Sequence, residues 1–120
     1  MKYELIVTII NKDYSSELMD AARSVGATGG TILSARGTGN HEVEKLFGLT
    51  IQQEKEVVLI LSKTENKTEI MKSIISATGL NTEGRGICFS LPVEDVIGTS
   101  FSTIATDEEY NEILSEVFHF

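Results

Sequence analysis

Two glycine bends in this 120-residue sequence could concentrate main-chain chemistry: Gly29-Gly30 and Gly84-Arg85-Gly86, each just before an apolar run. N–H groups in such bends can converge on an anion, and Arg85 would add a charge-assisted donor for phosphate. Arg36, Lys45 and Arg85 are the available cations. The other reading is a pair of tight helix-to-strand connections, since neither a Walker A nor a GxGxxG pattern occurs. His41, Glu42 and Glu44 cluster in sequence. A zinc site takes three or four ligands in fixed geometry, so one histidine and two carboxylates on a loop predict solvated side chains and no metal. Cys88 is expected as core packing rather than a nucleophile. No Ser/His/Asp or Cys/His arrangement can be read from two histidines, so catalysis is not expected.

These groups need a scaffold, and hydrophobic periodicity supplies one. Tyr3 to Ile10 reads as a strand. Leu5, Val7 and Ile9 share one face and Ile6 and Ile10 the other, as in a strand covered on both sides. After Asn11-Lys12-Asp13, a helix is expected with Asp13 or Ser15 as cap. Its stripe is Leu18, Ala21, Ala22 and Val25, and Gly26 is its left-handed end. Thr28-Gly29-Gly30 is expected to form a turn that only glycine tolerates easily. Thr31 to Arg36 is the second strand and Glu56 to Leu61 the third, with Val57, Leu59 and Leu61 on one face. Asn66 with Glu69 predicts the capping box of a second helix, whose stripe is Ile70, Ile74 and Ala77 and whose stop is Gly79. Ile87 to Leu91 is the fourth strand, ended by Pro92.

The order β-α-β-β-α-β predicts an α+β fold. It is a ferredoxin-like sandwich, an antiparallel four-stranded sheet with two helices on one face. Residues 1–98 make this domain. Residues 99–120 read as a linker and an extra C-terminal amphipathic helix, opened by Thr106 and Glu109 and faced by Tyr110, Ile113, Leu114, Val117 and Phe118.

Between the second and third strands runs a loop, about Thr38 to Gln53, far longer than the two to five residues of a tight hairpin. Long loops in compact domains are usually binding elements or lids. This one carries Val43, Leu46, Phe47, Leu49 and Ile51. Three readings fit: insertion into a partner, a lid over a cleft, or a hairpin extension packed on the sheet.

The net charge of −8 argues against sequence-independent binding to nucleic acid. The 41% hydrophobic content is that of an ordinary globular domain. No apolar run approaches the ~18 residues of a membrane span, and Glu4 interrupts any early signal-peptide pattern. With a single cysteine, a reducing cytoplasm is the expected location.

Gly29 to Gly39, GGTILSARGTG, followed by the long loop and Glu54-Lys55-Glu56-Val57-Val58, resembles the PII nitrogen-regulatory signalling family. Gly84 to Ile97, GRGICFSLPVEDVI, resembles the family's glycine turn, strand and Leu-Pro-Val-Glu-Asp segment. The resemblance spans about residues 1–98. It implies a homotrimer that transduces signals without catalysis, with an adenine nucleotide (AMP, ADP or ATP) in clefts between subunits. The loop corresponds to the family's T-loop. His41, Glu42, Glu44, Lys45, Phe47 and Leu49 would then face a target protein, a membrane transporter being one such target.

Carried over by position, Gly29 and Thr31 line the base and ribose, and Ile60 flanks the base. Gly37, Gly39 and Asn40 lie near the phosphates, and Gly84, Arg85 and Gly86 form the phosphate turn. The family's lysine after that turn falls on Ile87, and its two later arginines on Gly98 and Ser100. Its loop arginine falls on Asn40, and the glutamine that helps hold magnesium and 2-oxoglutarate on His41. Each charged phosphate contact contributes about 1.5–3 kcal/mol, so a nucleotide with fewer phosphates, or another small anion, is expected. The loop has no tyrosine or serine, so the family's usual modification sites are absent. The alternative is a ligand-free trimeric scaffold on the same fold.

Overall fold

The computed structural model describes residues 2–38, 52–80 and 86–98. Four strands and two helices follow in the order β1 (Tyr3–Asn11), α1 (Ser15–Ser24), β2 (Thr31–Thr38), β3 (Gln52–Lys63), α2 (Thr64–Thr78), β4 (Gly86–Val93). The sheet order is β2-β3-β1-β4 and every pairing is antiparallel. This is the expected ferredoxin-like arrangement. The extra C-terminal helix read at 107–120 lies outside the described residues.

Strand alternation divides the apolar residues between two faces. One face carries Ile6, Thr8 and Ile10 of β1 with Val58, Ile60 and Ser62 of β3, all buried. Against it pack Leu18, Met19 and Ala22 of α1 and Ile70 and Ile74 of α2. Met19 was not in the expected stripe, whereas Val25 and Ala77, which were, lie exposed. The Ser73 hydroxyl donates to the Ala21 carbonyl at 2.8 Å and ties the helices together. The opposite face has no covering layer among the described residues. Leu33 is 48% exposed there, Ile87 56%, Phe89 38% and Leu91 48%. Periodicity anticipated β1 covered on both sides, and the described residues cover only one.

Several boundaries differ from the sequence reading for local reasons. Neither expected N-cap operates. Tyr14 and Lys63 occupy the cap positions without side-chain cap bonds. Asp13 instead adopts φ 81°, and its N–H donates to Glu56 Oε1 at 3.0 Å. At α2 the Thr64 N–H donates to the Lys2 carbonyl at 2.9 Å, so main chain satisfies the first N–H of a helix that begins before Asn66. Gly79 ends α2 in the left-handed region, as its position suggested. Pro92 does not end β4. It pairs opposite Glu4 within the ladder, and β4 is an edge strand, where a residue without an N–H is tolerated.

Candidate functional site

The end of the sheet where β2 begins carries a groove of about 420 Å³. Its floor is Leu5, Leu59 and Leu61 on the uncovered face, and Thr28, Gly29, Gly30 and Thr31 form its rim. The two glycines differ in purpose. Neither has positive φ, so the turn that only glycine tolerates is not found at this place. A Cβ on Gly30 would come within 3.0 Å of both the Leu59 carbonyl oxygen and Met19 Sδ. Gly30 therefore lets the chain lie close against β3. A Cβ on Gly29 would meet nothing within 4 Å, so Gly29 leaves the groove open without serving the core.

Ile60 takes no part in the groove through its side chain. It is fully buried against the helices, and its neighbours Leu59 and Leu61 face the open side. The period of two along a strand fixes that outcome. The floor residues were legible as the odd-numbered apolar sets of β1 and β3, but the sequence reading assigned them no binding role.

A second, smaller cavity of about 130 Å³ adjoins the groove through Thr28 and Leu61 and reaches Ser62, Lys63 and Asn66. A third, of about 550 Å³, lies where β2 and β3 run on toward the loop. Lys12, Ser34, Arg36, Glu54 and Glu56 line it. There the β1–α1 turn is clasped to β3: Lys12 Nζ stands 3.2 Å from Glu54 Oε2, and Lys55 Nζ donates to Asn11 Oδ1. The hydrogen bond and charge of Glu54 raise the Lys12 pKa above its ordinary value. Gly37 is next to this clasp, and a Cβ there would touch the flexible Lys55 side chain.

Gly86 starts β4 opposite Ile10. With φ 144°, it is close to the β1 main chain, and a Cβ would lie 2.2 Å from the Ile9 carbonyl oxygen. The two glycine sites are far apart in one chain. Thr31 is in register with Leu59, Val7 and Phe89. Gly86 is three residues along and three strands across, roughly 17 Å away from strand spacings alone.

Gly39, Asn40, His41, Glu42, Glu44, Lys45, Phe47 and Leu49, with Gly84 and Arg85, lie outside the described residues. What the structure gives of the loop is its base, the pair Thr38 and Gln52. Cys88 packs beside the core, its thiol accepting from the Thr8 hydroxyl at 3.4 Å. Burial pushes its pKa up, which disfavours the thiolate a nucleophile needs. Among the described residues no three His, Cys, Asp or Glu side chains gather as a metal would require. No described helix is long and apolar enough to cross a membrane.

Comparison with curated proteins finds no match. Among solved structures, Arabidopsis thaliana PII bound to citrate superposes with a TM-score of 0.64 at 22% identity, covering 85% of this chain and 87% of that one. B. subtilis GlnK superposes with a TM-score of 0.63 at 13% identity, covering 81% and 90%. At such identities the likeness is one of fold. A family model described as nitrogen regulatory protein P-II matches residues 3–103. That match takes in the sheet, both helices, the loop and both glycine bends, and this chain belongs to the nitrogen regulatory protein P-II family.

Proposed function

We propose that three copies of this chain assemble through their open sheet faces and sense an adenine nucleotide in the clefts between them. The uncovered apolar face carries this reading. Leu33, Phe89, Leu91 and Ile87 form one contiguous surface with Leu5, Leu59 and Leu61. Such a surface on a regulatory domain marks a protein–protein contact. At its margin is the groove at Gly29–Thr31, which the β4 start of a neighbour, Gly84-Arg85-Gly86, would close. In this arrangement Gly29 and Thr31 line the base and ribose, the main chain at Ile60 borders the base, and Gly37, Gly39 and Asn40 lie toward the phosphates.

The loop based on Thr38 and Gln52 would report occupancy to a protein partner through His41, Glu42, Glu44, Lys45, Phe47 and Leu49. A ligand that binds one loop state better than another shifts the balance between them. The role is regulatory rather than catalytic, in keeping with the family. Calorimetric titration with AMP, ADP and ATP tests the sensing claim. Saturable binding of at least one supports it. Flat traces for all three at millimolar nucleotide would overturn it and leave an assembly module on the same sheet.

A further inference from the structure

We propose that the β1–α1 turn, Asn11-Lys12-Asp13, is a clasp that fixes the two-stranded ribbon carrying the loop between Thr38 and Gln52, with these three as its positioning residues. The ribbon begins where β1 stops. The last β1–β3 pair is Asn11 with Lys55, whereas β2 and β3 stay paired out to Thr38 and Gln52. Among the described strands, β3 from Glu54 outward therefore has β2 alone beside it. A two-stranded ribbon by itself is at best marginally stable in water, so its direction has to be held from the body of the sheet.

The turn supplies that hold on both faces. The Lys12 N–H donates to the Glu54 carbonyl at 3.1 Å and carries the β1 ladder one residue past the strand end. On the helix side, Lys12 Nζ lies 3.2 Å from Glu54 Oε2, and the Asp13 N–H donates to Glu56 Oε1 at 3.0 Å. On the open side, Lys55 Nζ donates to Asn11 Oδ1. Side chains alternate along β3, so Glu54 and Glu56 point one way and Lys55 the other. Three successive residues at the ribbon's root are thus gripped by three successive residues of the turn. The turn is itself anchored. The Tyr14 N–H donates to the Asn11 carbonyl at 3.4 Å and the Leu18 N–H to the Tyr14 carbonyl at 3.1 Å, and Leu18 is fully buried in the core. Contacts therefore run from the core through α1 and the turn to the base of the loop. This holding role is independent of whether a nucleotide binds.

Backbone amide order parameters from NMR relaxation of the full chain test this. In the parent protein residues 36–38 and 52–54 should be as rigid as the sheet, about 0.85, and in Asn11→Ala/Lys12→Met they should fall to about 0.6 or below. Residues 57–62 should keep the parent values in both. Unchanged order at 52–54 in the folded variant would overturn the proposal. So would a loss spreading equally into 57–62, which would mark a loosened sheet rather than a released clasp. A charge exchange gives a second reading. Lys12→Glu sets two carboxylates against each other and should lower the order at 52–54, while Lys12→Glu with Glu54→Lys should restore most of it. A double variant no more ordered than Lys12→Glu alone would contradict the role of the ion pair.

Discussion

Gly86→Ala and Gly29→Ala form a pair that separates the glycine that builds the sheet from the one that borders the open groove. At Gly86 a Cβ would sit 2.2 Å from the Ile9 carbonyl oxygen, and φ is 144°. Real Cβ contacts do not fall below 3.0 Å, so main chain must shift by close to an ångström. Backbone strain in such a region costs of order 1–3 kcal/mol, and forcing extra atoms into packed structure typically 1–3 kcal/mol more. A loss of about 2–6 kcal/mol is expected, a large part of the roughly 5–15 kcal/mol that holds a domain of this kind together. At Gly29 the same methyl meets nothing within 4 Å and φ is not positive. There the change in stability should be within about 0.5 kcal/mol, as for surface substitutions generally. Denaturant titration of both variants reads the difference directly as a shift in midpoint at constant slope. Gly86→Ala unfolding at the parent midpoint, or Gly29→Ala losing as much as Gly86→Ala, would refute this assignment of roles.

Two further outcomes are expected. Phe89→Lys should leave the fold intact, because the side chain lies outside the helix-covered core, yet lower the solution mass by placing a charge in the proposed interface; circular dichroism and light scattering together check both halves. Cys88 should react with a thiol reagent at least about tenfold more slowly in the native chain than after unfolding, since reactivity follows thiolate population and access. Folding raises the Cys88 pKa above its ordinary value of 9.0, so ionisation favours the unfolded chain. Its contribution is therefore constant below about pH 9 and declines as pH rises past that point.

Much of the fold was legible because alternation and helical period are local. The sets Leu5, Val7, Ile9 and Val57, Leu59, Leu61 could be placed on one face from spacing alone, and so could Ile70 and Ile74. What was not legible depends on partners distant in sequence. Asn66 and Glu69 have the form of a capping box, but α2 begins earlier because the Lys2 carbonyl accepts from Thr64. Pro92 reads as a terminator until β4 is known to be an edge strand. Gly30 and Gly86 look alike as letters. Only the structure shows that one makes room beside Leu59 and the other beside Ile9. The groove followed the same rule. Gly29 and Thr31 border the groove, and its floor is Leu59 and Leu61 because the period of two turns Ile60 toward the helices.

Among the described residues one sheet face is uncovered, and Gly29-Gly30 stands apart from Gly86 across the sheet. Static light scattering of the full chain at micromolar concentration tests the proposed three-chain assembly most directly. A mass near three times the 13.1 kDa of the monomer is expected. A mass of 13.1 kDa would contradict it, because no second chain would then be present to close the groove.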